Sequence, residues 1–71
     1  MGRDPRVSFG LRLAALRKGK GWSQLALELE SGVARSYIGE VERGRRNIGL
    51  INICRLAEAL GVTPSKLMSF E

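Results

Sequence analysis

A chain of 71 residues builds one domain, and a core of that size supplies only about 3 to 5 kcal/mol unless something staples it. A single cysteine and no histidine exclude an intrachain disulfide and a His/Cys zinc site, which leaves self-association as the remaining common route to stability. Lys and Arg total 12 against 7 Asp and Glu, a net charge of +5 that favours an anionic partner, and no apolar run approaches the roughly 18 residues of a membrane span.

The start Met1-Gly2-Arg3-Asp4-Pro5-Arg6 leads into no signal-peptide core, so a soluble, cytoplasmic protein is expected. Residues 1–7 carry little apolar surface and read as a flexible N-terminal arm: a frayed terminus, or one whose Arg3 and Arg6 reach a phosphate or a minor groove. The folded domain then spans residues 8–71. From Ser8 the pattern is helical, with Phe9, Leu13, Leu16 and the stem of Lys20 recurring at three- and four-residue spacing. Arg12, Arg17 and Lys18 fall on other faces, Leu11 lies off the stripe, and Gly19 and Gly21 end the run.

The stretch from Ser23 to Gly44 reads as two short helices joined by a glycine turn. Ser23 can cap the first, and Trp22 before it can staple onto Leu27. Leu25, Ala26 and Leu29 are expected to face the core, with Leu27 turned toward Trp22 and Glu28 and Glu30 pointing outward. Ser31-Gly32-Val33 is too short to reverse the chain into a parallel-packed hairpin, so the helices must cross steeply, as in a helix-turn-helix whose second helix enters a groove. That second helix runs from about Arg35 to Arg43, with Ile38 and Val41 toward the core and Gly44 as its stop.

Arg45-Arg46-Asn47-Ile48-Gly49 is a basic connector. Leu50, Ile53, Leu56, Ala57 and Leu60 mark a fourth helix closed by Gly61, and Thr63-Pro64 opens a fifth, with a Val62 to Leu67 staple. The expected fold is all-α, a compact five-helix bundle containing a helix-turn-helix.

With the helices placed, Trp22-Ser23-Gln24, Leu27, Ser31-Gly32-Val33, Arg35-Ser36-Tyr37-Ile38, Val41-Glu42-Arg43-Gly44 and Leu56-Ala57-Glu58-Ala59-Leu60-Gly61-Val62 resemble the helix-turn-helix regulators of the lambda repressor and Cro type. The resemblance runs from about Phe9 to Met68. Arg35-Ser36-Tyr37 followed by Arg43-Gly44-Arg45-Arg46-Asn47 is most similar to the controller proteins of restriction-modification systems. This implies a small homodimer that binds a palindromic double-stranded DNA operator and times expression of an endonuclease. Phage and plasmid repressors and antitoxins share the same domain. Three positions depart from the family pattern: Glu28 stands where a small alanine is usual and must escape to solvent or pair with a base such as Arg35, Ala34 replaces a capping serine, and Ile48-Gly49 replaces a proline and a serine or threonine.

On the second helix of the motif Arg35, Ser36, Gly39, Glu40 and Arg43 are expected on outward faces. Arg35 can fork guanine O6 and N7, worth about 1 to 3 kcal/mol of discrimination, and Ser36 is short enough for a base edge or a phosphate. Tyr37 either offers its hydroxyl to a phosphate and its ring to a thymine methyl, or is a half-buried core tyrosine. Gly39 permits close approach of the helix backbone, and Glu40 either accepts from cytosine N4 or pairs with Arg43 or Arg35. Gln24, Arg43, Arg46 and Asn47 are candidates for phosphate contacts, Arg46 and Asn47 mainly through the resemblance, and Arg45 is a phosphate contact or a solvated charge.

Ile51 and Cys54 on the fourth helix, with Met68 and Phe70 after the fifth, form a candidate dimer face; alternatively Ile51 is merely exposed and Phe70 folds back on its own core. Catalysis is disfavoured by the absence of histidine and of a phosphate-loop spacing around Gly19-Lys20-Gly21, and neither metal nor cofactor is expected. A protein-interaction module of the antitoxin kind is the rival reading. Glu28, Glu30 and Glu40 are the candidate acidic surface for RNA polymerase.

Overall fold

Asp4 opens the first helix: its carboxylate accepts from the Arg6 amide at 2.9 Å, and Pro5 occupies the first helical position, where a missing N–H costs nothing. In the computed structural model, which describes residues 3–70, helix α1 therefore runs Pro5–Gly19 and takes in residues 5–7 of the stretch read as an arm. The local reason is the Asp-Pro pair, reinforced by an Arg6–Asp4 ion pair of 2.6 Å. Arg6 is thus engaged within α1's first turn, and Met1 and Gly2 lie outside the described residues.

Helices α2 (Gln24–Ser31), α3 (Arg35–Glu42), α4 (Leu50–Leu60) and α5 (Pro64–Leu67) follow, and the described residues contain no strand. The expected caps are in place: Ser23 Oγ accepts from the Ala26 amide and Thr63 Oγ1 from that of Lys66, each at 3.0 Å. Between α2 and α3 the chain turns through Gly32 at φ 76°, a conformation glycine adopts without strain. The α3 terminus is closed by two bonds, Gly44 N–H to the Val41 carbonyl and Arg45 N–H to that of Glu40, which satisfy carbonyls the helix leaves unpaired.

Phe9 and Leu13 of α1, Leu27 of α2, Ile38 and Val41 of α3, Leu56, Ala57 and Leu60 of α4 and Leu67 of α5 make one continuous core, with Trp22, Tyr37 and Ile53 half-buried around it. Helix α3 lies against α1 and α2, while α4 packs on α2 and α5. Gly10 makes the α1–α3 contact possible: a Cβ there would overlap the Val41 carbonyl oxygen and stand 2.8 Å from that of Glu42.

Four core expectations are corrected. Leu27 is fully buried, whereas Leu25 and Leu29 are exposed. Residues two apart on a helix point about 200° apart, so Leu27 opposes the Leu25/Leu29 pair and only one set can face inward. Leu50 is also exposed, because α4 begins one turn before its buried stretch. Arg17, expected outside, is buried, and Lys20 lays its ammonium 5.0 Å from the centroid of the Trp22 ring instead of burying its stem.

Candidate nucleic-acid interface

The back of α3 is fixed by Ile38 and Val41, so its register in the bundle is set before any charge is considered. Its first turn leaves Arg35 and Ser36 exposed. Ala34 offers no side-chain cap, and the Arg35 amide is instead bonded by Glu28 Oε1, reaching across from α2 at 3.1 Å. Glu28 thus stays partly exposed and bonds the Arg35 amide instead of a guanidinium. It serves the backbone.

The far end of α3 is braced from behind. Glu42 receives Arg17 Nε at 2.7 Å and Nη2 at 2.9 Å, and the remaining Nη1 donates to the Trp22 carbonyl at 2.7 Å. Bonding to Glu42 raises the Arg17 pKa further, so the guanidinium is permanently charged. The same Glu42 carboxylate accepts from Gln24 Nε2 at 2.9 Å. One carboxylate therefore ties α1, the start of α2 and the end of α3 together, and it orients Gln24 at the N-terminus of α2.

Gly39 is buried, not outward. The Gln24 and Arg43 side chains lie across it, with Gln24 Oε1 and Arg43 Nη1 each 3.5 Å from where its Cβ would stand. It brings two of the predicted phosphate-contacting side chains together over α3, which removes it from the groove-facing surface. Glu40 pairs with Arg43 at 2.6 Å. That hydrogen bond, with the charges of Arg43, Arg45 and Arg46, holds the Glu40 carboxyl below its ordinary 4.5 against the opposing effect of burial. Arg46 stacks its guanidinium 5.3 Å from the centroid of the half-buried Tyr37 ring. Arg45, Arg46 and Asn47 are exposed in the connector.

The surface is consequently basic. Between Arg35 and Asn47 four arginines face two glutamates, and Glu42 is neutralised by Arg17 from the core side. Of the acidic positions considered for polymerase, Glu28 and Glu40 are occupied by Arg35 and Arg43, and Glu30 stays exposed. Sequence reasoning missed Arg17, Glu42 and Gly10. The first two are 25 positions apart, with no local pattern to join them, but Gly10 inside an otherwise helical run was a readable sign of close backbone approach.

On α4 Leu50, Ile51 and Cys54 are exposed, and so is Met68 just after α5. Phe70 is corrected to its own core: its ring meets Phe9 edge-on, centroids 6.3 Å apart. Phe70, Met68, Ile48 and Ile53 line an apolar depression flanked by Arg6 and Arg46.

Comparison with known proteins bears out the resemblance. A helix-turn-helix family profile matches residues 13–67. The crystal structure of the restriction-modification controller protein C.AhdI from Aeromonas hydrophila superposes with a TM-score of 0.85 at 53% identity, covering 87% of this chain and 94% of that one. Control protein C.BamHI from Bacillus amyloliquefaciens is 39% identical over 71 residues, 99% of this chain and 88% of its own. The biofilm regulator SinR, solved in complex with DNA, superposes with a TM-score of 0.82 at 31% identity over 86% of this chain and 98% of that one. This chain belongs to the helix-turn-helix family.

Proposed function

We propose that this protein is a sequence-specific DNA-binding transcriptional regulator of the restriction-modification controller kind, acting in the cytoplasm as a homodimer on a palindromic operator. The observation that carries the reading is α3 itself: a helix locked on its inner face, braced at both ends and offering Arg35 and Ser36 free at the end that leads into a groove. Arg35 is assigned the bidentate guanine contact and Ser36 a base edge or phosphate. Tyr37, buttressed by Arg46, meets the backbone or a thymine methyl, and Glu40 reads cytosine N4 only if Arg43 releases it.

Phosphate positioning falls to Gln24, Arg43, Arg46 and Asn47, with Gly39 as the floor on which Gln24 and Arg43 rest. Ile51, Cys54, Leu50 and Met68 are the proposed twofold contact, which would set two α3 helices about one DNA turn, roughly 34 Å, apart.

Selection of bound duplexes from a random pool, with wild type and Arg35→Ala at two salt concentrations, tests this. A twofold-symmetric site whose preference relaxes with Arg35→Ala is expected. Weak, salt-sensitive binding without enrichment, unchanged by Arg35→Ala, would refute it. For the dimer, Ile51→Asp should shift sedimentation toward the monomer, and an unaltered profile would remove that face from the interface.

A further inference from the structure

We infer that Glu28 is a positioning residue for base reading: from α2 it supplies the N-terminal cap that Ala34 cannot, and so fixes where Arg35 starts in the groove. This rests on the DNA reading above. Two departures from the family pattern, a glutamate where a small residue is usual and an alanine where a cap is usual, meet in one hydrogen bond, Arg35 N–H to Glu28 Oε1 at 3.1 Å.

The two positions serve the same turn through different amides: Glu28 holds that of Arg35, whereas a side-chain oxygen at 34 would hold that of Ser36 or Tyr37. Ala34 sits at the N-cap with φ −58° and ψ 136°, close to the backbone of the capping residues Ser23 and Thr63, yet has no side-chain oxygen to offer. Without a partner the first amides of α3 are orphans, and the first turn frays. Arg35 is the first residue of that turn, and its guanidinium lies several bonds beyond the Cα that the turn places. A bidentate contact depends on that placement, so loss of the cap falls on discrimination at one base position more than on overall affinity. The inner face of α3 remains held by Ile38, Val41 and the Glu42 network, so Glu28 acts on the start of the helix and not on its existence.

Three variants test the assignment: Glu28→Gln, which keeps an oxygen acceptor, Glu28→Ala, which removes it, and Glu28→Ala/Ala34→Ser, which moves the cap to its usual position. In the free protein, exchange of the Arg35 amide followed by NMR should be slow in wild type and Glu28→Gln. It should be about fivefold faster in Glu28→Ala and in the double variant, whose serine caps the Ser36 or Tyr37 amide instead. In the duplex selection, enrichment at the base position that responds to Arg35→Ala should fall about fivefold in Glu28→Ala, and be retained in Glu28→Gln and recovered in the double variant.

Unchanged discrimination in Glu28→Ala, or an equal loss at every position and on non-specific duplex, would overturn the inference. Should Glu28→Ala not fold, Glu28→Gln and the double variant still decide, because both must keep wild-type discrimination. A wild type that enriches no site overturns the DNA reading and the groove role with it. Fast exchange of the Arg35 amide in a wild type that does select a site overturns the cap alone.

Discussion

Replacing Arg17 by methionine removes a guanidinium whose side chain is only 9% exposed and leaves Glu42, 8% exposed, with Gln24 as its remaining hydrogen-bond partner. Breaking a buried ion pair from one side costs about 3 to 5 kcal/mol; the lower end applies here, because the pair lies just under the surface of a small domain and water reaches it on relaxation. The Trp22 carbonyl also loses its Arg17 donor at 2.7 Å, worth roughly 1 kcal/mol more. The sum, about 4 kcal/mol, matches the roughly 3 to 5 kcal/mol that a core of this size supplies, so Arg17→Met should be largely unfolded at 37 °C. Replacing the pair together, as Arg17→Met/Glu42→Met, removes the stranded charge and should recover most of the loss. Urea titration followed through Trp22 fluorescence, at one fixed protein concentration because the proposed dimerisation would add to stability, reads both. A cost below about 1 kcal/mol for the single change, or a double variant no more stable than the single, would refute the argument.

Gly10→Ala should destabilise by about 2 kcal/mol or more in the same titration, since its methyl meets two backbone carbonyls that cannot yield without parting α1 from α3. Gly39→Ala meets only side-chain ends at 3.5 Å and should be neutral or gain up to about 1 kcal/mol; equal effects at the two glycines would contradict the packing described. The Glu40 carboxyl should titrate below 4.5 by NMR and move back up in Arg43→Ala. Because the folded state depresses this pKa, its contribution is present above 4.5 and is lost as pH falls through the lower folded value; an unshifted midpoint would show the pair absent in solution. Cys54→Ser, at an exposed position, should change stability by less than about 0.5 kcal/mol at a dimer-free concentration.

Most of the helix boundaries were legible because capping is local chemistry. Ser23, Thr63-Pro64, Gly44 and Gly61 each carry their signal within four residues of the end they make. Asp4-Pro5 carries the same signal as Thr63-Pro64, and was outweighed by the charged, terminal setting around it. Which leucines of α2 turn inward was not local: the motif's own period allows Leu27 or the Leu25/Leu29 pair, and the choice is made by α4 and α3 packing on that helix. The exposure of Arg35, Ser36 and Arg43 could be read from Ile38 and Val41, whereas Gly39, read as outward by the same rule, is covered by Gln24 and Arg43. The Arg17–Glu42 pair that holds α3 in place could not be read, because it joins residues across the fold and isolated charges read by default as solvated; Glu28 was legible as a partner of Arg35, but not as a bond to its amide.

The bracing of α3 divides its positions into two kinds. Ile38, Val41 and Glu42 are committed to the scaffold, together with Gly10 and Arg17 beneath them, whereas the side chains of Arg35 and Ser36 contact nothing that the fold requires. On the proposed assignment of base reading to Arg35 and Ser36, such a helix would be an exchangeable cassette: new residues at 35 and 36 would alter which DNA is chosen while the supports at 10, 17, 28 and 42 stay as they are. Under that assignment a duplicated gene would reach a second operator through one or two codons at exposed positions, where substitutions usually change stability by about 0.5 kcal/mol or less.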